Sequence, residues 1–142
     1  MDCPFCNLNS DINRVIYESE TVFVILSNPC LTKGHLLVIP KRHIEKPSDL
    51  TSKERIELFE TVLKYQDILI DMFGGGCDIR ENYRPFQKQN DLKVDHIHFH
   101  LIPRTLDDEI YQSYEKLQRN VFKKMDRIET EQILEVFKNQ VK

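Results

Sequence analysis

The chain has 142 residues, of which 40% are hydrophobic and 30% charged, as in one soluble globular domain with a sizeable core. Its net charge of −3 gives no general electrostatic reason to bind nucleic acid or an anionic membrane, so neither is expected as a partner. The apolar runs are too short to span a bilayer, and the N-terminus does not resemble a secretory signal. We therefore expect a cytoplasmic location, where the four cysteines stay reduced.

Two cysteines lie near the N-terminus at a two-residue spacing, in the segment Cys3-Pro4-Phe5-Cys6. This spacing lets two thiolates hold one side of a tetrahedral zinc ion. A redox-active pair is an alternative, but such a pair usually follows a strand and begins a helix, and nothing of that kind precedes this one. Two unrelated cysteines are the third interpretation.

The first forty residues contain three segments that are typical of strands. Residues 15–17 and 21–26 are rich in β-branched and aromatic side chains, and residues 18–20 form the turn between them. Residues 35–39 are nearly all apolar, which predicts a central strand covered on both faces, and Pro40 ends it.

A long amphipathic helix is predicted to follow. Thr51 and Glu54 have the spacing of a capping box, with Thr51 as the N-cap. Glycines 74–76 end the helical pattern. These glycines are a poor phosphate loop, because they follow a helix instead of preceding one and lack the Lys-Ser/Thr continuation.

The second half of the chain adds one strand, a polar loop and a helical tail. A fourth strand is predicted over residues 77–80, followed by a locally basic loop over residues 81–93. In the tail, Leu117, Val121 and Met125 suggest one helix, and a second is suggested by Ile133, Leu134, Phe137 and Val141. With no repeat or low-complexity linker, we predict one domain, with residues 105–142 as a helical extension of residues 1–104.

Three of the five histidines stand at alternate positions between Asp95 and Arg104, separated by Ile97, Phe99 and Leu101. Since a strand points successive side chains to opposite faces, this pattern predicts His96, His98 and His100 in one row, with the apolar residues behind them. A half-buried strand with a merely solvated face would normally use Thr, Ser or Lys. Imidazoles can donate, accept, ligate metal or titrate near neutral pH, so a functional site is favoured.

This histidine pattern, preceded by the segment Gly-His-Leu-Leu-Val-Ile-Pro-Lys-Arg-His at residues 34–43, resembles the histidine-triad (HIT) superfamily. The resemblance covers about residues 3–104. It implies an α+β fold, in which an antiparallel sheet packs with one long helix, and a homodimer. It also implies a hydrolase or transferase that attacks the α-phosphorus of a nucleotide.

The resemblance assigns catalytic roles to three histidines. His98 would be the nucleophile and would form a nucleotidyl-imidazole intermediate, with its second ring nitrogen bonded to a backbone carbonyl. His100 would bind the phosphate and stabilise the charge that develops on its oxygens. His35 resembles the supporting histidine of the family, although a satisfied core histidine is a compatible interpretation.

Family members with an N-terminal Cys-x-x-Cys complete a zinc site with two histidines. Carried over, the ligands are Cys3, Cys6, His43 and His96. A Cys₂His₂ set has no open position, so this zinc would be structural.

The chain departs from the family pattern at two places that affect the nucleotide. Leu26 replaces an acidic or amide residue that commonly bonds the ribose, which leaves Ser27 or Asn28 for that role. Residues 91–93, Asp-Leu-Lys, replace a Gly-Gln-Ser/Thr segment, so Lys93 is a candidate phosphate contact. Asn82 is a candidate for the phosphate-binding amide of the preceding loop.

The leading hypothesis is therefore a nucleotide hydrolase or transferase that acts on dinucleoside polyphosphates or nucleoside phosphoramidates. The alternative is a non-catalytic nucleotide-binding or scaffold protein that retains the fold, which the two departures favour and the intact His98 and His100 oppose. Repair of adenylated DNA ends would require a wider basic surface, which the sequence does not indicate.

Overall fold

A computed structural model describes residues 3–8 and 14–140 of the chain. Its central feature is a five-stranded antiparallel sheet with the strand order β1-β2-β3-β5-β4. The strands are β1 (Val15–Glu18), β2 (Val22–Leu26), β3 (Leu36–Pro40), β4 (Gly76–Arg80) and β5 (Phe99–Arg104). One long helix, α1 (Ser52–Phe73), joins β3 to β4. The predicted α+β architecture, with an antiparallel sheet and one long helix, is confirmed.

Helix α1 begins with the predicted capping box. The Thr51 hydroxyl accepts a hydrogen bond from the Glu54 N–H at 3.2 Å, and the Glu54 carboxylate accepts one from the Thr51 N–H at 2.8 Å. The same carboxylate accepts two hydrogen bonds from the Arg42 guanidinium, each 2.8 Å long. Gly74 caps the other end with φ of 69°, a conformation that costs little only for glycine.

The two faces of the sheet are covered by different parts of the chain. Helix α1 packs its buried side chains, among them Leu58, Val62 and Leu69, on one face. The other face carries a smaller buried cluster of Phe23, Ile25, Leu37 and Ile39. Phe5, Leu8 and Val15 pack against that cluster. Strand β3 is buried along its whole length, as predicted for a central strand.

The histidine segment differs from the prediction in one respect. Strand β5 begins at Phe99, so His96 and His98 precede it instead of lying within it. The chain bends at His96, and the Ile97 N–H donates to the carbonyl of Ile44 outside the sheet at 2.6 Å. Ile97, Phe99 and Leu101 nevertheless all pack on the α1 side. The predicted apolar face is therefore present, although the strand is shorter.

Residues 109–142 form a compact unit separate from residues 1–108. This second unit contains a π-helical segment, Tyr111–Glu115, followed by a short helix, α2 (Lys116–Gln118), and a longer helix, α3 (Arg127–Gln140). Among its described residues no side chain is buried. The assignment of residues 105–142 as an extension of the same domain stays a prediction. No helix in the described ranges is both long and apolar enough to cross a membrane.

The tail helices only partly follow the apolar spacing. Helix α3 contains the predicted Ile133, Leu134 and Phe137, while Val141 lies outside the described residues. The predicted helix through Leu117, Val121 and Met125 is wrong beyond Gln118. Asp126 explains the interruption, because its carboxylate accepts from the Glu129 N–H at 2.9 Å and caps α3, so Met125 stands before that helix.

Candidate active site and metal centre

The His98 ring has one nitrogen committed to the backbone. Its Nδ1 lies 2.7 Å from the carbonyl oxygen of His96. A carbonyl only accepts, so Nδ1 carries the proton and Nε2 keeps a lone pair. Burial lowers the pKa of His98, while the hydrogen bond to His96 acts in the opposite direction. A neutral ring with a free Nε2 is the form required of a nucleophile.

His35 and His100 form a hydrogen-bonded pair whose proton positions follow from one backbone amide. The Leu31 N–H donates to His35 Nδ1 at 3.1 Å, so a neutral His35 carries its proton on Nε2. That Nε2 lies 2.9 Å from His100 Nδ1 and donates to it. His100 therefore holds its own proton on Nε2, which makes that atom a donor available for a ligand.

The surroundings keep both rings of this pair neutral. Burial lowers the pKa of His35 to about 4, and the charges of Arg80 and His98 act in the same direction. Burial also lowers the pKa of His100 to about 3, again with contributions from His98, His35 and Arg80. At neutral pH the pair is therefore a neutral donor chain.

A cavity of about 430 Å³ lies beside these histidines, within the range of small-molecule sites. The predicted residues Ser27, Asn28, His35, His98 and His100 all line it. Much of the rest of the wall is apolar, including Phe5, Ile25, Leu31 and Leu37. An apolar slot next to a row of polar nitrogens suits a molecule with a flat apolar part and an anionic part.

The segment that replaces the common ribose contact has a defined geometry. The Ser27 hydroxyl donates to the carbonyl of Pro29 at 2.8 Å, and its oxygen retains acceptor capacity. The peptide bond between Asn28 and Pro29 is cis. Leu26 is 42% exposed and is not among the residues that line the cavity.

Asn82 and Lys93 lie at a different place from the other predicted nucleotide contacts. Both line a small pocket of about 30 Å³, which shares His98 with the larger cavity. The Lys93 ammonium pairs with the carboxylate of Asp95 and donates to the carbonyl of Gln87 at 2.5 Å. Lys93 is thus already neutralised by a neighbouring carboxylate.

The four predicted metal ligands come together although they lie up to 93 positions apart. One ligand atom from each of Cys3, Cys6, His43 and His96 lies within 4.8 Å of the others. The Cys3 and Cys6 sulfurs lie 3.4 and 3.7 Å from His96 Nδ1. The Cys6 sulfur lies 3.3 Å from His43 Nδ1. Tetrahedral zinc with its usual bond lengths separates sulfur and nitrogen ligands by about 3.6 Å.

The outer nitrogens of the two histidines also fit a metal site. His96 Nε2 donates to the carbonyl of Pro40 at 2.8 Å, which leaves Nδ1 deprotonated in the neutral ring. His43 Nε2 lies 3.6 Å from the Glu45 carboxylate. None of the four cysteines is in a disulfide. The donor set and its spacing therefore suit a zinc ion.

Among the cavity residues that the sequence did not indicate as ligand contacts, Phe5 and Arg14 have further contacts around the site. Phe5 lies between the two cysteines in the chain and lines the cavity. An aromatic residue between two predicted metal ligands was the sequence signal that could have identified it as a site residue. Arg14 lines it as well, and its guanidinium donates to the carbonyls of Leu26 and Asn28 at 3.4 and 3.3 Å. Its position just before β1 carried no signal of this role.

Comparison with known proteins identifies one matching family model and several related sequences. A family model described as HIT domain matches residues 10–107. A HIT-like protein of Methanocaldococcus jannaschii is 35% identical over 104 residues, which cover 72% of this chain and 78% of that protein. An adenosine 5′-monophosphoramidase of Schizosaccharomyces pombe is 31% identical, covering 73% and 75%. An asymmetrical bis(5′-nucleosyl)-tetraphosphatase of the same organism is 28% identical, covering 77% and 62%.

Solved structures match as well. A HIT family member from Bacillus subtilis has a TM-score of 0.74 and 26% identity, and the match covers 100% of this chain and 99% of that one. A zinc-bound histidine triad protein from Mycobacterium smegmatis has a TM-score of 0.63 and 29% identity, with 76% and 78% covered. The predicted fold is therefore confirmed.

Proposed function

The chain belongs to the HIT domain family, and on that premise we propose that it is a nucleotide hydrolase or transferase that attacks the α-phosphorus through His98. One observation carries the proposal: His98 lines a cavity of about 430 Å³ with Nδ1 bound to a carbonyl and Nε2 left as a lone pair. The printed names of several relatives denote nucleotide hydrolases.

The proposed reaction has two displacements at phosphorus. In the first, the lone pair of His98 Nε2 forms a bond to the α-phosphorus while the bond from phosphorus to the leaving group breaks. A polyphosphate departs as an anion, whereas an amine leaves with a proton taken from solvent. In the second, water or another acceptor attacks the same phosphorus, its proton passes to solvent, and the phosphorus–nitrogen bond breaks to restore His98.

His100 would stabilise both displacements by donating from Nε2 to a phosphoryl oxygen. Its proton sits on that nitrogen because Nδ1 accepts from His35, and His35 is in turn held by the Leu31 N–H. The pair thus supplies an oriented donor without carrying a charge at neutral pH. Ser27 and Asn28 would hold the sugar, since they line the same cavity.

The proposed substrates are dinucleoside polyphosphates and nucleoside phosphoramidates. Both carry a nucleotide α-phosphorus, and the relatives named above include enzymes of both kinds. Asn82 and Lys93 line the small pocket that also includes His98, where they could meet the leaving portion of a longer phosphate chain. Lys93 would then have to leave the Asp95 carboxylate.

We also propose that Cys3, Cys6, His43 and His96 bind a structural zinc ion. The ligand spacing and the bond from His96 to Pro40 support it. When bound, zinc would tie the N-terminal segment to the residue two positions before His98, and with four protein ligands it would have no open position for catalysis. Elemental analysis of protein purified without chelator should give one zinc per chain, and a content far below one would contradict the site.

A homodimer and a cytoplasmic location complete the proposal. For the dimer, the supporting features are the edge position of β4 and the exposed apolar residues Ile56, Phe59 and Leu63 on α1. A sheet edge and an apolar stripe in one copy can each meet their counterparts in a second copy by two-fold symmetry. Sedimentation velocity should give twice the chain mass, and a single-chain mass at micromolar concentration would contradict the homodimer.

Turnover by His98→Ala tests the reaction. We expect kcat to fall at least a thousandfold for both a dinucleoside polyphosphate and a nucleoside phosphoramidate, because the proposed mechanism has no other nucleophile. The variant should still bind adenosine 5′-monophosphate, since the other walls of the cavity remain. Wild-type rates in the variant would refute the mechanism.

Mass spectrometry of quenched reactions tests the intermediate directly. Wild-type protein should gain the mass of one nucleotidyl group, and His98→Ala should not. Nucleotide binding with neither turnover nor an adduct would instead support the non-catalytic nucleotide-binding or scaffold protein.

A further inference from the structure

Phe5 occupies an unusual position, since it lies between two metal ligands in the chain and beside the candidate nucleophile in space. Its ring centroid is 5.1 Å from that of His98, with an interplanar angle of 70°. It is 5.8 Å from that of His96, at 79°. Both are edge-to-face contacts, which hold two aromatic rings in a preferred relative orientation.

The same ring also forms part of the cavity wall and part of the core. Phe5 lines the 430 Å³ cavity together with His98 and His100. It packs against the buried cluster that contains Ile25 and Leu37, which line the cavity too. Displacement of this one side chain would therefore open the cavity, uncover apolar residues and remove a contact to His98.

The described segment that carries Phe5 lies outside the strands and helices of the fold. Residues 3–8 contain no strand or helix, and the Cys6 N–H donates to the carbonyl of Cys3 at 3.1 Å within the segment itself. The metal ligands on either side of Phe5 reach His43 and His96, which belong to other parts of the chain. A metal bonded to all four would hold Phe5 at both flanks.

We propose that Phe5 is a positioning residue that couples metal binding to nucleotide binding, which rests on the proposed function. With Cys3 and Cys6 tied to the metal, the ring closes one wall of the cavity and restrains the His98 ring. Without the metal, the ring leaves this position, and the cavity loses affinity for the nucleotide.

Three variants separate this role from simple packing. Phe5→Ala removes the ring, and Phe5→Leu keeps an apolar side chain there without an aromatic edge. Leu8→Ala is the matched control, because Leu8 packs against the same cluster but is not among the residues lining the cavity. Calorimetric titration with adenosine 5′-monophosphate measures affinity before and after zinc is removed with a chelator.

Zinc-loaded Phe5→Ala should bind the nucleotide about tenfold more weakly than wild type, the size expected for loss of one aromatic wall. Zinc removal should weaken binding by wild type and by Leu8→Ala to a similar extent, and should change the affinity of Phe5→Ala less than twofold. Equal affinities of zinc-loaded wild type and Phe5→Ala, or an undiminished effect of zinc removal in Phe5→Ala, would overturn the coupling.

Nuclear magnetic resonance of the His98 ring protons gives a readout that needs no ligand and no activity. Loss of the Phe5 ring current should shift these protons in Phe5→Leu and in zinc-free wild type, but not in Leu8→Ala. Unchanged His98 resonances in zinc-loaded Phe5→Leu would refute the positioning role even if zinc removal unfolds the chain. Failure of wild type to bind any nucleotide would instead count against the proposed function, since the ring contact would still be observed.

Discussion

The pair formed by His35 and His100 makes the stability of the protein depend on pH in a predictable direction. His35 is 2% exposed. Burial lowers its pKa from an ordinary value of 6.5 to about 4, and electrostatic interactions with Arg80 and His98 contribute in the same direction. The neutral form is thus favoured in the folded state. Between pH 6.5 and 4 the unfolded chain binds a proton at this position that the folded chain does not, so the free energy of unfolding falls as pH falls.

The magnitude follows from the two pKa values. At pH 5 an unfolded histidine is almost fully protonated, while the folded His35 is almost fully neutral. The free energy of unfolding is therefore about 2 kcal/mol lower at pH 5 than at pH 7.5. His35→Phe removes this titration while keeping a ring in the core. At pH 7.5 the variant should be about 1–3 kcal/mol less stable, because the Leu31 N–H and His100 Nδ1 lose their partner.

Urea unfolding followed by circular dichroism tests this at pH 7.5, 6.5, 5.5 and 5.0 at constant ionic strength. Protonation of the proposed metal ligands would also destabilise a zinc-loaded protein in acid, but it would affect wild type and variant alike and cancel in their difference. The loss of stability from pH 7.5 to 5.0 should be about 2 kcal/mol smaller in His35→Phe than in wild type. Equal losses in the two proteins would refute a buried neutral His35.

Three further predictions concern the capping box, one glycine and the metal. Glu54→Ala should lower the free energy of unfolding by about 2–3 kcal/mol, because the carboxylate accepts from Thr51 and Arg42, whereas Glu60→Ala on the exposed side of α1 should change it by less than about 0.5 kcal/mol. Chemical denaturation measures both, and equal effects would contradict the role of the box. Gly75→Ala should cost about 2 kcal/mol or more, since φ is 74° and a Cβ would lie 2.5 Å from the Arg104 carbonyl oxygen, while at Gly76 a Cβ meets open space and Ala should be nearly neutral. The same unfolding assay decides, and a tolerant Gly75 would show that β4 can shift. Zinc removal should lower the Tm by about 10 °C in wild type and in Cys30→Ala but not in Cys6→Ser, as read by calorimetry with and without chelator. A chelator effect that persists in Cys6→Ser would argue against this ligand set.

Local chemistry made much of the fold predictable. Thr51 and Glu54 placed the start of α1, because a capping box satisfies backbone groups within four residues and needs no tertiary contact. The run from Leu36 to Ile39 indicated a strand covered on both faces for the same kind of reason, since its composition alone excludes a solvated side.

The differences arise where tertiary contacts decide. His96 leaves the extended path because its ring reaches Pro40 and the two cysteines, so the strand starts three residues later than the alternation suggests. The Leu117 helix ends early because Asp126 caps the next helix, and apolar spacing does not reveal which of two competing helices begins first.

The candidate site was predictable in its residues but not in its arrangement. Ligand and triad histidines were identified through the family pattern, and the structure brings the four metal ligands together. The separation of Lys93 and Asn82 from the main cavity was not evident, because it depends on the path of a long loop and on the ion pair with Asp95. The place of Phe5 beside the His98 ring was not evident either, because it depends on a tertiary contact between residues far apart in the chain.

The proton positions in this site are set by the main chain. His98 is oriented by the carbonyl of His96, His96 by the carbonyl of Pro40, and His35 by the N–H of Leu31. Any residue at position 40 keeps the peptide oxygen that His96 meets. Any residue except proline at position 31 keeps the peptide N–H that donates to His35. Under the proposed function, neighbouring side chains can therefore vary to accommodate different bases or leaving groups while the tautomers of the three rings stay unchanged, so that one arrangement of histidines can acquire new substrates.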